Sequence, residues 1–186
     1  QQKITFISTF IIGCIAHLFA LTNVLHNYDD IRCTPGGAGA GVASGRWIIG
    51  LINGVWNKYW GVYNLTFFNG IVVLVLISAS ACIVVRIFEV RNIVNCILIG
   101  GVLITFPSIT SMLFFTFTAP YYGLAIFLSV LAVAVYKKKY EVIVSAACIA
   151  CSIGIYQAYL PLVITLFILL LLVECIRNQW KISNTI

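Results

Sequence analysis

Apolar residues fill this chain in long unbroken stretches, separated mostly by short polar joints. The stretches cover about residues 4–25, 65–88, 93–107, 120–136, 141–156 and 159–176. None alternates apolar and polar positions with period two, so each predicts a helix rather than a strand of a barrel. A helix needs roughly 20 apolar residues to cross a bilayer core. The pattern therefore predicts an all-α, polytopic helical membrane protein with about six transmembrane helices, forming one transmembrane domain. The first stretch is too long for a signal peptide and lacks a small-residue cleavage site, so it reads as a span. Gln1 and Ile186 read as cuts or processed termini rather than natural domain edges.

Composition agrees with lipid as the solvent. The chain is 62% hydrophobic and only 9% charged, with a mean hydropathy of +1.08. A soluble domain carries about 25% charged residues. The net charge of +6 is scattered between the apolar runs. It is the surplus that positive-inside bias produces in a multi-span protein, and it predicts no nucleic-acid partner. Six of the seven cysteines lie within apolar runs, where Cys behaves as a small hydrophobe. The C-x-x-C formed by Cys148 and Cys151 lies within a span and reads as packing. Cys33 alone is in polar sequence and makes no disulfide framework.

Basic residues set the expected orientation. With the N-terminus in the cytoplasm, Lys3, Arg86, Arg91, Lys137, Lys138, Lys139, Arg177 and Lys181 face inside, and Arg32, Arg46 and Lys58 face outside. That is eight against three, as the positive-inside rule requires. The long connection 26–64 is then an outer loop. Its stretch CTPGGAGAGVASG is rich in glycine, which permits close backbone approach to a ligand. In RWIIGLINGVWNKYW, which follows, Trp47, Ile48, Leu51, Ile52, Val55, Trp56 and Tyr59 recur at steps of mainly three and four. This predicts an amphipathic helix lying on the outer interface, with a wet start to the second span as the plainer reading. The stretch FPSITSMLFFTFTAPYYG, with two prolines, predicts irregular backbone beneath the same loop.

Five acidic residues are present. Glu89, Glu141 and Glu174 stand beside basic residues at cytoplasmic span ends and read as charge balance. Asp29 and Asp30 stand together just after the first span, in HNYDDIR. Adjacent carboxylates repel, which prepares one as a general base or both to hold a divalent cation. The plainer reading is a polar start to the loop that caps the helix. Arg46 suits a phosphate at headgroup depth, or general snorkelling to headgroups. Tyr156 and Gln157 interrupt an apolar run, facing either a cavity or a neighbouring helix. His26 pairs with a carboxylate, binds a cation or is structural. Mid-span His17 is expected to bond a neighbouring helix. The sequon at Asn64 abuts a span and is discounted.

The order of YDDIR (28–32), GRW (45–47) and GIYQAYL (154–160) resembles the bacterial GtrII-type glucosyltransferases, polytopic enzymes of the GT-C class that modify O-antigen. The resemblance covers most of the chain but only the N-terminal part of such enzymes. It implies transfer of a glucosyl or similar residue from a polyprenyl-phosphate-linked donor to O-antigen or another surface glycan of lipopolysaccharide type. The reaction would take place on the periplasmic side of the bacterial inner membrane. It further implies Asp29 or Asp30 as the base, Arg32 and Arg46 on the donor phosphate, and His26, Tyr28, Tyr156 and Gln157 lining the cavity. A metal, if used, would sit on Asp29 and Asp30. The alternative is a non-enzymatic transporter or flippase of lipid-linked sugar, which would need polar groups along a mid-membrane path. His17 and Asn95 are the main candidates for such a path.

Overall fold

A computed structural model describes residues 1–23, 44–60, 65–136 and 139–176. Among these residues the chain is helical, with no strand. The helices are α1 (Gln2–Thr22), α2 (Trp47–Trp60), α3 (Thr66–Ile87), α4 (Ile93–Thr105), α5 (Pro107–Leu113), α6 (Ala119–Val135), α7 (Lys139–Ile155) and α8 (Leu160–Ile176). A single 3₁₀ turn, Gln157–Tyr159, joins the last two.

Local chemistry sets the boundaries. Asn92 caps α4 by accepting from the amides of Val94 at 2.8 Å and Asn95 at 3.4 Å. Pro107 has no amide hydrogen and forces Phe106 into extended backbone, with ψ 138°. The third predicted span, 93–107, ends at Pro107 as expected, with α4 stopping at Thr105. Pro107 then opens a second short helix, bent by 47° from the first. A proline is well placed at the first position of a helix, which is why a helix stands where irregular backbone was expected. At the end of α3 the amide of Glu89 bonds Arg86 O and that of Val90 bonds Val85 O. This is the Schellman pattern. The left-handed position in it, with φ +53°, is held by Glu89 instead of the usual glycine, which costs roughly 1 kcal/mol.

The contacts alternate in direction along the chain. Leu21, late in α1, packs on Gly70, early in α3. Gln1 reaches Arg91 O, just before α4, so α1 and α4 run parallel. Between α6 and α7, Ser152 donates to Ala125 O at 2.9 Å and Ser145 to Ala132 O at 2.8 Å, an antiparallel crossing. Ser129 and Ser152 also share a bond of 2.8 Å. Tyr156 meets both Tyr122 at the start of α6 and Tyr159 just before α8, and Tyr136, after α6, meets Phe167 further along α8, which places α8 parallel to α6.

The burial pattern of α1 is inverted relative to a water-soluble helix. Its inward stripe is Thr5, Thr9, Gly13, His17 and Leu21. Its outward face is Ile4, Ile7, Ile11, Ile15, Leu18 and Phe19, with Ile15 73% exposed. An apolar outer face and a small or polar inner face suit lipid, where close approach of small residues holds helices together. Along α8 the outward residues include Ile164, Ile168 and Leu172. Three helices are long and apolar enough to cross a membrane: α1, α3, and α8 with its preceding turn. Taking α4 with α5 as one bent span makes four. The apolar helices α6 and α7 have 17 residues each, about 25 Å at a rise of about 1.5 Å per residue, somewhat less than a hydrocarbon core of about 30 Å. The chain is a helical membrane protein.

Polar groups in this core are matched to backbone. The Nε2 of buried His17 lies 2.8 Å from Ile104 O, which the break before Pro107 leaves without its helical partner. This meets the expectation for His17. The buried hydroxyl of Thr9 has no hydrogen-bond partner among the described residues. It lies directly over Gly100, where an added Cβ would collide with the oxygen. The Cα–H of Gly100 therefore points at the hydroxyl, a weak polar contact available to glycine. Gly100→Ala should destabilise the protein by about 1–3 kcal/mol through overpacking. Thr9→Ala should be nearly neutral, because it removes a hydroxyl lacking a full partner. It should also relieve most of the Gly100→Ala penalty, measured as thermal unfolding of the four proteins in one detergent.

Candidate functional site at the tyrosine end of the bundle

Several chain segments converge at the end of the bundle where α6 and α8 begin and α7 finishes. Gly45 enters with φ +74°, a left-handed conformation that glycine adopts without penalty. A Cβ there would collide with the side-chain amide of Gln157. This turn delivers Arg46 to the start of α2. The first turn of α2 is then seated on α7. The Trp47 indole and Ile48 lie against Gly154, where a Cβ would stand 2.7 Å from each. Ile49 is fully buried.

Arg46 is held by three fixed contacts. Its Nη1 donates to the Tyr122 hydroxyl at 3.1 Å. Its guanidinium carbon lies 4.6 Å from the centre of the Tyr156 ring and 6.0 Å from that of Tyr122, within the range of cation–π attraction. The two rings are themselves 4.9 Å apart, and Tyr159 meets Tyr156 edge-on at 5.6 Å. Tyr159 in turn directs its hydroxyl at the Met112 sulfur on α5, 3.7 Å away. Tyr121 donates to Asn53 of α2, and Asn69 of α3 donates to Thr116 O at 2.9 Å. Segments from α2 to α8 are thus joined at one end around one cation.

The guanidinium carbon of Arg46 lies over the face of the Tyr156 ring. The in-plane N–H donors of the guanidinium are the part whose geometry matches a phosphate or carboxylate. Arg46 is half-buried, so an anion meeting it would be partly shielded from water. The fold brings three residues singled out in the sequence together: Arg46, Tyr156 and Gln157. Tyr156 lies half-buried beneath the guanidinium, and Gln157 is exposed beside Gly45. His26, Tyr28, Asp29, Asp30 and Arg32 lie outside the described residues, as does Cys33. Among the described residues no group of three or more His, Cys, Asp or Glu side chains could hold a metal.

Sequence reasoning missed Tyr122, Tyr159 and Met112 as members of this cluster. A signal for the tyrosines was present. Tyr122 follows Pro120 at the start of one apolar run, and Tyr159 lies two residues before Pro161 at the start of another. Tyrosine at a span end favours the membrane–water boundary, and both ends were expected on one side. Met112 carried no such signal, since its role follows from the bend at Phe106.

The α2 helix is present, as expected, and its apolar residues divide into two faces. Ile49 packs inward, while Ile48 and Ile52 are partly buried. Trp47, Leu51, Val55 and Tyr59 form an outward stripe at four-residue spacing, 43% to 66% exposed.

No curated protein and no solved structure matches the chain. A family model does match, that of the glucosyl transferase GtrII family, over residues 18–184. This range takes in most of the bundle and the whole of the tyrosine end, and the chain belongs to the GtrII glucosyl transferase family.

Proposed function

We propose that the chain carries the donor-phosphate end of a GT-C-type glucosyltransferase. It would move a glucosyl or similar residue from a polyprenyl-phosphate donor to O-antigen or another surface glycan. The observation that carries the reading is Arg46, stacked on Tyr156 and bonded to Tyr122 at the tyrosine end. Asn23 and Ser44 flank residues 24–43, which contain the aspartate pair. Asn23 ends α1, beside the Leu21 that packs on Gly70 of α3, and Ser44 adjoins the Gly45 that touches Gln157. Both flanks therefore lie at the end that bears Arg46, which supports a shared site.

In this reading Asp29 or Asp30 accepts the proton of the acceptor hydroxyl. The hydroxyl oxygen bonds to the anomeric carbon as the bond from that carbon to the phosphate oxygen breaks. Arg46 and Arg32 take up the negative charge on the departing polyprenyl phosphate. Charge that develops on a leaving group is best stabilised by donors already fixed in place. The tyrosine rings fix Arg46, and His26, Tyr28, Tyr156 and Gln157 line the space around it.

The alternating helix directions support six crossings, with α4 and α5 as one bent span and α6 and α7 as short ones. The tyrosine end then faces the periplasm of a bacterial inner membrane, and Gln1 lies at the cytoplasmic side. The outward stripe of α2, with Trp47 and Tyr59, would rest on the periplasmic interface.

Two outcomes are expected. Replacing Asp29 and Asp30 together by Asn should abolish glycan glucosylation while the protein still inserts, and unchanged glycan modification in that double variant would refute the enzyme reading. Arg46→Lys keeps the charge but loses the planar fork and the stack. It should lower transfer about 10–100-fold, equivalent to roughly 1.4–2.7 kcal/mol of transition-state stabilisation. Tyr122→Phe, which keeps the ring and removes one bond, should cost less than about 10-fold. Single-turnover transfer from a defined lipid-linked donor would rank the two variants.

A further inference from the structure

The opposite end of the bundle holds most of the charged residues among those described, and it contains two neighbouring cavities. One, of about 430 Å³, opens between the late turns of α3 and α6, the start of α7, and α8. Ile87, Val135 and Leu170 form part of its apolar wall, and Arg86, Glu89 and Glu141 are its charged members. The other, of about 360 Å³, shares Arg86 and Glu89 and adds Arg91. Arg86 and Glu89 thus stand between two openings at the same surface.

Glu89 is the second observation. It occupies the left-handed position of the α3 Schellman turn, with φ +53°. Glycine fits that position without strain and glutamate does not. A strained non-glycine residue is grounds for seeking a function for it, and here Glu89 lines both cavities.

We propose that this end binds the headgroup of an aminophospholipid, a phosphate joined to a primary ammonium. The phosphate meets the Arg86 guanidinium, the ammonium meets the Glu89 and Glu141 carboxylates, and acyl chain lies along the apolar wall. Both carboxylates already interact within the fold, so the ammonium joins an existing network instead of filling a vacancy. The charge pattern selects this class. In the first cavity two carboxylates beside one guanidinium disfavour a purely anionic headgroup, while Arg91 adds its cation to the neighbouring cavity. The guanidinium disfavours a purely cationic one. A quaternary amine brings no N–H for the carboxylates to accept. The assignment stands independently of the proposed transfer reaction, because none of its residues belongs to the tyrosine end.

The test uses the purified chain in detergent, with thermal unfolding followed as each lipid is added. Phosphatidylethanolamine should raise the midpoint saturably, by about 2–4 °C. Phosphatidylglycerol and phosphatidylcholine should each give less than half of that rise. Soluble glycerophosphoethanolamine should act only at much higher concentration. Arg86→Gln should lose the rise. Glu89→Gly is the decisive variant. Relief of the strained turn should raise its lipid-free midpoint, by about 2–4 °C, while the response to phosphatidylethanolamine disappears. A response retained in Glu89→Gly would overturn the proposal. So would an equal rise from phosphatidylglycerol, or equal potency of the soluble headgroup, which would remove the lipid from the assignment.

Discussion

In hydrocarbon no water is present to satisfy a backbone carbonyl, and that constraint governs this bundle. It acts most visibly where α4 stops. Pro107 breaks the helix, so the amide of Ser108 makes no bond to Ile104 O. His17 of α1 approaches to 2.8 Å and supplies the partner. The approach is possible because α1 turns small residues inward here, with Gly13 beneath the Ile104 side chain. With the carbonyl satisfied, the bend can be kept within the membrane-embedded region. The bend directs α5 beneath the 3₁₀ turn and places Met112 under Tyr159. Tyr159 packs on Tyr156, and Tyr156 carries Arg46. A solvent requirement deep in the bundle is thereby connected, contact by contact, to the placement of the cation at its end.

The same solvent explains which parts of the fold were legible in the sequence. Continuous apolar runs mark helices regardless of packing, and the observed helices fall within a few residues of the predicted runs. What the runs could not show was which face turns inward. In α1 the inward residues are Thr5, Thr9, Gly13 and His17, the less apolar set. A rule that buries the most hydrophobic face would choose the opposite side. Nor could hydropathy show that a second short helix, Pro107–Leu113, follows the end of α4. Pro107 was the visible mark, and it was read as the end of order instead of the start of a second helix.

The site was legible in part, for a different reason. Arg46, Tyr156 and Gln157 stand out because polar groups are rare in this sequence, and rarity at a span end is itself a signal. Their mutual contact was not legible, because 110 positions separate Arg46 from Tyr156 and no local pattern links them. Tyr122 was hidden by its context as one of several aromatics in an apolar run. Aromatic residues at a span end can anchor to headgroups, fill a core or hold a cation, and only the three-dimensional placement distinguishes these. In Tyr122 two of these roles coincide, since the ring is buried while its hydroxyl accepts from Arg46.

The tyrosine cluster also answers a question about Arg46 that charge alone leaves open. A guanidinium on a flexible side chain near a membrane surface would ordinarily extend toward water and headgroups, in any of many rotamers. Holding it in one place requires attraction that leaves in-plane donors for an anion, and here only the Nη1 bond to Tyr122 is seen to use one. A carboxylate partner would neutralise the charge and occupy the fork. A tyrosine ring attracts the cation through its face and leaves the fork's orientation open, and one phenol oxygen then sets the rotation about the stack. Gly45 supplies the remaining condition. Its left-handed turn, with the Gln157 amide where a side chain would project, brings the chain close enough for the ring to lie under the guanidinium. The arrangement retains the positive charge while restricting its position.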